Sequence, residues 1–374
     1  MTALVKPLFS VPFQRDYDFI DRKDMFSQIE EQLQRQYRVS LCGLGGVGKS
    51  QIAIEYAYRF QQTRPQSHVL WVYAASFTTF LQACHDIARS LKLPSCDEPG
   101  TDPCELVSKW LNEEDHSWLM ILDNADNAEL FFPSVGSDSP PATVTQPQRS
   151  LNDYLPSILN PQKSLLVTTR SRFVGQDLAY GELCVEVPPL SPQEAMDLLH
   201  LKAKGAVGSF DKYSTERLLD VLGYIPLTIT QAAAFIIRNR WTFQGYLAAL
   251  EKDKQNLTDY LSQELQDPRR PRDFPNSIFR TWKLSFDHIL AQKPKTATLL
   301  SLITMFDPQR IPEKLLRPLT EREVDFRMAI GTLDGFAERR VYCIQLALAG
   351  GNQIMDELFV ISLDSMGLYL LALL

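Results

Sequence analysis

The stretch CGLGGVGKSQIAIEYAYRF, residues 42–60, decides the fold class of this chain. Residues 43–50 satisfy the pattern G-x-x-x-x-G-K-[ST] of a phosphate-binding loop. Its glycines let the backbone bring N–H groups close to phosphate oxygens, and the positive end of the following helix points to the same phosphates. The apolar run RVSLC before the loop and the amphipathic SQIAIEYAY after it predict a strand, a loop and a helix in that order.

The end of this loop carries side chains that are predicted to contact nucleotide. Lys49 is predicted to reach the β and γ phosphates, and Ser50 to hold Mg²⁺. A second carboxylate must complete such a magnesium site, and Asp123, directly after the apolar run WLMIL, is predicted to supply it through water. The predicted nucleotide-binding residues of the loop and the first helical turn are Gly43, Gly45, Gly46, Val47, Gly48, Lys49, Ser50 and Gln51.

Two further residues are candidates for hydrolysis. Position 124 is Asn, which cannot act as a base, whereas Asp126 follows in the same loop. Either Asp126 activates the attacking water, or no strong base exists and hydrolysis is slow. The run KSLLVTT delivers Arg170 to the edge of the sheet where ligands of α/β folds bind, so Arg170 is predicted to read the γ-phosphate. Lys49, Asp123, Asp126 and Arg170 form the predicted catalytic set.

The remaining sequence predicts a parallel α/β sheet followed by helices. The five short apolar runs RVSLCGL, HVLWVYAAS, SWLMILDNAD, KSLLVTTRS and ELCVEVPPL alternate with helical stretches. Asp21 is predicted to cap the first helix. Residues 132–150, rich in Pro, Ser, Thr and Gly, are predicted to be a mobile insertion. After Pro188 the chain turns helical, and Ser191, Pro192 and Glu194 predict a capping box there.

Composition narrows the possible partners and location. The chain has 374 residues, a net charge of −7 and a pI near 5.4, so no overall charge draws it to nucleic acid or anionic lipid. None of its six cysteines forms a C-x-x-C pair, and no signal peptide is evident, so a cytoplasmic, reducing location is predicted. The longest late apolar run, MGLYLLALL, is shorter than the roughly 20 residues that span a membrane.

In this order the motifs resemble the NB-ARC family of STAND P-loop NTPases, most closely the fungal NOD-like receptors, over about residues 11–316. VPFQRDYDFIDRKDMFSQI is similar to the family's opening motif, with Asp21 where Gly is usual, and implies that Ile20 and Arg22 frame the adenine. LGYIPLTITQAAAFI resembles the family's G-x-P-L motif and implies that Pro226 contacts the base, although one extra residue separates it from Gly223. By the same resemblance Asp123 is the Walker B aspartate and Arg170 the first sensor arginine.

The resemblance also implies a domain order. It comprises an N-terminal extension (1–19), a P-loop domain (20–190), a helical domain (191–266), a linker (267–275) and a winged-helix-like domain (276–374). The last of these departs from the family, because Met355-Asp356-Glu357 stands where Met-His-Asp is usual. A carboxylate would repel the phosphate that the family's His contacts. The winged-helix-like domain is therefore expected to be divergent or truncated, and the chain is expected to stop before any repeat domain.

The function implied by the resemblance is an ADP/ATP-binding switch that uses Mg²⁺. ADP would lock the domains together, and ATP exchange would open them for homo-oligomerisation and signalling, as in fungal innate immunity, with slow hydrolysis as a timer. A catalytic P-loop ATPase or kinase is an alternative. The sequence shows no second group of His, Asp and Arg that could bind an acceptor substrate, however. A DNA-binding regulator is another, although the winged-helix candidates carry few basic residues. The missing N-K-x-D motif disfavours guanine. Upstream and downstream protein partners are not indicated.

Overall fold

The computed structural model describes residues 7–133, 149–157, 160–181, 184–204, 211–252 and 322–329, together with Thr296 and Leu299. Most of the predicted insertion, the linker 267–275, most of the predicted winged-helix-like domain and Met355-Asp356-Glu357 lie outside the described residues. The chain divides into two compact units. Unit 1 comprises Met1–Tyr17, Asp21–Cys42 and Lys49–Val187, and unit 2 comprises Asp18–Ile20, Gly43–Gly48 and Pro188–Leu374.

Unit 1 contains a five-stranded parallel sheet, which confirms the predicted α/β class. Its strands are β1 (Arg38–Cys42), β2 (His68–Tyr73), β3 (Trp118–Asp123), β4 (Lys163–Thr169) and β5 (Val185–Glu186). Their order is β2-β3-β4-β1-β5, so β4 lies between the strand that enters the phosphate loop and the strand that ends in Asp123. Every residue of β1, β3 and β4 is buried, as expected for a sheet covered on both faces.

The described part of unit 1 also contains six α-helices. They are α1 (Lys23–Gln36), α2 (Lys49–Thr63), α3 (Phe77–Ser90), α4 (Pro103–Glu113), α5 (Ala128–Phe131) and α6 (Arg172–Leu178). On one face Leu70, Val72, Met120 and Leu122 pack with apolar side chains of α3 and α4. Because side chains alternate along a strand, Val69 and Ile121 point to the opposite face. Asp21 does not cap α1: Arg22 occupies the cap position, and Asp21 instead accepts a hydrogen bond from Arg59.

Residues 323–329 of unit 2 are helical, and the described residues between 188 and 252 form four further helices. They are α7 (Pro192–Lys202), α8 (Lys212–Val221), α9 (Pro226–Asn239) and α10 (Phe243–Lys252). The predicted capping box at α7 is present, since the Ser191 hydroxyl accepts from the Glu194 N–H and the Glu194 carboxylate accepts from the Ser191 N–H. Leu199, Leu218 and Ile229 lie in the core that joins α7, α8 and α9. Within the described residues no helix is long and apolar enough to cross a bilayer.

Cys42 and Cys184 form a disulfide. The two residues are 142 positions apart, and they meet because β1 and β5 pair with Leu41 beside Val185. Gly175 leaves the space for the sulfurs, since a Cβ built there would lie 2.6 Å from both Sγ atoms. Spacing along the sequence could not indicate this pair, because only the strand order brings it together.

A buried carboxylate, Glu55 on α2, joins the N-terminal segment of unit 1 to this helix. Its side chain accepts hydrogen bonds from Nε and Nη2 of Arg15, at 2.9 and 2.7 Å, and from Nε of Arg59 at 2.7 Å. Burial raises the pKa of Glu55, but the hydrogen bonds from Arg15 and Arg59 outweigh it and leave this pKa below its usual value. The folded state therefore favours the ionised carboxylate.

Replacing Glu55 by Gln is expected to lower the free energy of unfolding of unit 1 by about 2 kcal/mol at neutral pH, because three charge-assisted hydrogen bonds weaken. A folded-state pKa below the unfolded value stabilises the protein above the unfolded pKa, and this contribution disappears as the pH falls through the folded-state pKa. The difference between wild type and Glu55→Gln should therefore shrink in acid, as urea unfolding at a series of pH values would measure.

The matched control is Glu31→Gln, which removes the charge from an exposed pair with Arg35 on α1. Exposed pairs contribute little, so this variant should unfold like wild type at every pH. Equal losses for both variants, or a Glu55→Gln deficit that persists unchanged in acid, would contradict the role assigned to the Glu55 charge.

Candidate nucleotide-binding site

Asp123 is the centre of the polar cluster at the carboxyl ends of the strands. It ends β3 and is almost completely buried. Ser50, in the first turn of α2, donates a hydrogen bond from Oγ to Asp123 Oδ1 at 2.8 Å. Thr168, near the end of β4, donates from Oγ1 to the same oxygen at 2.6 Å. The strand order places β4 next to β3, which explains how these residues meet although they are distant in sequence.

The pKa of Asp123 is affected by two charged residues of the predicted catalytic set, Lys49 and Asp126. Burial raises the pKa of Asp123 above its usual value, and the charge of Asp126 raises it further. Hydrogen bonds from Thr168 and Ser50 and the positive charge of Lys49 act in the opposite direction. Lys49 itself is buried where α2 begins. The structure thus brings Lys49, Ser50 and Asp123 together, as the sequence predicted.

The oxygens of Ser50 and Asp123 fit the ligand chemistry of Mg²⁺. Magnesium prefers hard oxygen ligands in octahedral geometry at about 2.1 Å, which puts neighbouring ligand oxygens about 3 Å apart. Oγ of Ser50 and Oδ1 of Asp123 are separated by 2.8 Å. A hydroxyl and a carboxylate at this separation are a suitable donor set for such an ion, either directly or, for Asp123, through water.

Asp126 and Arg170 form a pair beside this cluster. The backbone N–H of Arg170 donates to Asp126 Oδ1 at 2.6 Å, and Arg170 Nε lies 3.2 Å from Asp126 Oδ2. A turn at Asn124, whose φ is 61°, brings Asp126 back toward β4. Two hydrogen bonds stabilise the turn. The N–H of Asn124 donates to the hydroxyl of Thr168, and the N–H of Ala125 donates to the carbonyl of Thr168.

The loop Gly43–Gly48 belongs to unit 2, where it packs against the start of α9. The N–H of Leu227 donates to the carbonyl of Gly46 at 3.2 Å. Gly46 has a φ of +93°, and a Cβ built there would lie 3.0 Å from Cβ of Leu227 and 3.3 Å from Cγ2 of Ile225. A Cβ on Gly48 would lie 3.9 Å from Pro226, so the structure brings Pro226 to the phosphate loop.

The other predicted nucleotide-binding residues are placed as follows. Ile20 packs against the apolar core of unit 2, the unit that also contains the loop. Arg22 is buried at the cap position of α1 in unit 1. Val47 is buried within the loop, and Gln51 is half-buried on α2. The sequence did not indicate that Thr168 donates to Asp123 or that Leu227 donates to Gly46. The only signal for the first of these contacts is the pair of threonines that ends β4.

The comparisons with known proteins agree with this geometry. Residues 37–202 match the family model of the NACHT domain. The chain is 32% identical over 339 residues to a nucleotide-binding leucine-rich repeat (NLR)-like protein of Hyaloscypha variabilis. Residues 37–202 therefore belong to the STAND class of P-loop NTPases. The predicted class is therefore confirmed, and the matching model is that of the NACHT domain rather than that of NB-ARC.

The matched part of the relative limits which of its properties can be inferred for this chain. The match to the NLR-like protein covers 88% of this chain but 33% of the relative, so the chain spans about a third of that protein's length. Among solved structures, a Walker-type ATPase of Pyrococcus abyssi is similar with a TM-score of 0.54 and 15% identity, over 87% of this chain and 92% of that chain. This structural likeness shows the fold alone.

Proposed function

We propose that this chain is an ADP/ATP-binding molecular switch in which nucleotide exchange opens the domains for oligomerisation and signalling. The observation that carries the proposal is the hydrogen bond from Leu227 to Gly46. It attaches the phosphate loop to the first turn of α9, so a ligand that reshapes the loop acts directly on a helix of unit 2.

Each residue at the site has a role in this proposal. The backbone of residues 43–48 and the side chain of Lys49 hold the phosphates, while Ser50 and Asp123 hold Mg²⁺, which when bound neutralises phosphate charge. Ile20, Arg22 and Pro226 contact the adenine, Gln51 lies in the first turn of α2, and Arg170 reads the γ-phosphate. Slow hydrolysis serves as the timer, and the ATP state is a homo-oligomer that signals in the cytoplasm, in an innate-immune role.

The first experiment identifies the resident nucleotide. The purified chain is denatured, and the released nucleotide is separated by chromatography; ADP in near-stoichiometric amount is the expected result. Protein that releases no nucleotide and binds no ATP would end both the switch and the ATPase readings. Light scattering after gel filtration then compares the ADP complex with that of a non-hydrolysable ATP analogue. A larger mass with the analogue is expected, and equal masses would remove oligomerisation from the proposal.

Thr168→Val tests the magnesium site, because valine keeps the shape of threonine but removes its hydroxyl. The buried Asp123 then loses one of its two hydroxyl donors, so we expect the affinity for Mg²⁺-ATP to fall about tenfold. Isothermal titration in Mg²⁺ and in chelator measures this, and the deficit should shrink in chelator.

Thr169→Val is the matched control, since its hydroxyl bonds the backbone of Ser171 rather than Asp123. Both variants should lose about 1 kcal/mol of stability. Only Thr168→Val should lose affinity for Mg²⁺-ATP, and equal affinities in the two variants would contradict the positioning of Asp123 by Thr168.

A further inference from the structure

The side chains of Asp126 and Arg170, the two groups proposed to act in hydrolysis, are paired with each other in the structure. Arg170 is the residue proposed to read the γ-phosphate, and Asp126 is the candidate carboxylate for activating water. In the structure Arg170 engages both oxygens of Asp126, one through its backbone N–H and one through Nε. Neither side chain is in the state that hydrolysis requires.

The two contacts differ in what can break them. The 2.6 Å hydrogen bond to Oδ1 comes from the backbone of Arg170, directly after β4, and does not depend on the Arg170 side chain. The contact of 3.2 Å to Oδ2 comes from Nε and is lost when the side chain turns away. Movement of the arginine would therefore free Oδ2 while Asp126 stays anchored by Oδ1.

The surrounding fold keeps Asp126 in place during such a movement. The left-handed turn at Asn124 is hydrogen bonded to Thr168, and the N–H of Asp126 itself donates to the carbonyl of Asn124 at 2.9 Å. In contrast, the side chains of Arg170 and Asp126 remain 18% and 30% exposed. Ion pairs that keep this much water are weak, so a more highly charged anion can displace the carboxylate from the arginine.

We propose that Arg170 and Asp126 form a latch that the γ-phosphate of bound ATP opens. This inference rests on the proposed function, since it requires nucleotide in the phosphate loop. The triphosphate draws the Arg170 side chain to itself, and Oδ2 of Asp126 becomes available as a base. ADP lacks the γ-phosphate, so in the ADP state the latch stays closed and the base stays masked.

The chemical step then balances as follows. Oδ2 of Asp126 accepts a proton from water as the water oxygen forms a bond to the γ-phosphorus. The bond from this phosphorus to the bridging oxygen breaks, and ADP leaves with the electron pair. Asp126 returns its proton to solvent, inorganic phosphate departs, and Arg170 pairs with Asp126 again.

Asp126→Asn separates the latch from other roles of this carboxylate. The variant removes the charge that holds Arg170, so the affinity for ATP should rise about tenfold while the affinity for ADP stays unchanged. It also removes the base, so single-turnover hydrolysis should fall at least about a hundredfold. A structural residue would instead lose affinity for both nucleotides, and a base without a latch would leave both affinities unchanged.

Further variants complete the design. Arg170→Gln should lower the affinity for ATP toward that for ADP, and adding Asp126→Asn to it should give no gain. Asp97→Asn is the matched control, because it opens an exposed Asp–Arg pair with Arg89 away from the site, and it should behave as wild type. Fluorescent ATP and ADP analogues measure all of these affinities. The affinities test the latch whatever the rate of hydrolysis.

The outcomes distinguish the two proposals. If wild type binds ATP, Lys49→Ala does not, and Asp126→Asn gains no preference for ATP, the latch is overturned while the nucleotide site stands. If wild type binds neither nucleotide, the proposed function fails and the latch fails with it.

Discussion

Replacing Lys49 by Ala is expected to lower the affinity for both ATP and ADP at least about a hundredfold, the largest effect on nucleotide binding among the variants considered. Lys49 is the first residue of α2 and is 8% exposed, so its ammonium group acts where water screens it little. Its positive charge also acts to lower the pKa of the buried Asp123. Without this ammonium group, the negative charges of Asp123 and Asp126 would repel a bound polyphosphate with less compensation.

The measurement is isothermal titration with ATP and with ADP, and the chain offers a matched control. Lys163, the first residue of β4, is 7% exposed and donates from Nζ to the carbonyls of Leu111 and Asn112. It lies at the opposite end of β4 from Thr169. Lys163→Ala should cost about 1–2 kcal/mol of stability and leave nucleotide affinity unchanged. Lys49→Ala protein that binds ATP as tightly as wild type would show that residues 43–50 do not hold the phosphates.

The parts of the fold that the sequence predicted depend on local signals. The apolar runs around Leu41 and Leu119 form buried parallel strands because a sheet covered on both faces needs nearly continuous apolar sequence. Ser191 and Glu194 form a capping box because both partners lie within one turn of α7. Asp21 shows the limit of such signals. It had the right type for a cap, but Arg59 on α2 pairs with it instead.

Two of the contacts that the sequence could not predict depend on strand order. The bond from Thr168 to Asp123 joins residues 45 positions apart, and it exists because β4 is inserted between β3 and β1. The pairing of Asp126 with Arg170 has the same origin. Motif spacing identified Asp126 and Arg170 as separate candidates, yet nothing in their spacing showed that they bind each other.

The departure from the G-x-P-L spacing has a structural explanation in unit 2. Gly223 and Tyr224 both adopt left-handed conformations, with φ of 63° and 56°, and together they end α8. The additional residue, Tyr224, is absorbed in this turn, where its carbonyl accepts the N–H of Leu190 at 2.9 Å. Pro226 can therefore still begin α9 beside the phosphate loop.

Gly46→Ala is expected to have the second largest effect on nucleotide binding, because it acts on the loop and on α9 together. The φ of +93° costs an alanine about 1–2 kcal/mol of strain. The added methyl group would also lie 3.0 Å from Cβ of Leu227, an atom fixed to the backbone of α9. The loop and the helix must separate to relieve this contact, so we expect the affinity for ADP to fall more than about tenfold. Titration with ADP and thermal unfolding measure the two effects.

Gly100→Ala separates strain from contact. Gly100 has a φ of +90°, nearly that of Gly46, but a Cβ built there meets nothing within 4 Å. It should therefore lose only the strain energy and bind ADP as wild type does. A Gly46→Ala protein that loses no more stability than Gly100→Ala and keeps its affinity for ADP would mean that α9 does not depend on the shape of the loop. The switch would then lose the attachment between Gly46 and Leu227 on which it rests, although the nucleotide site itself could remain.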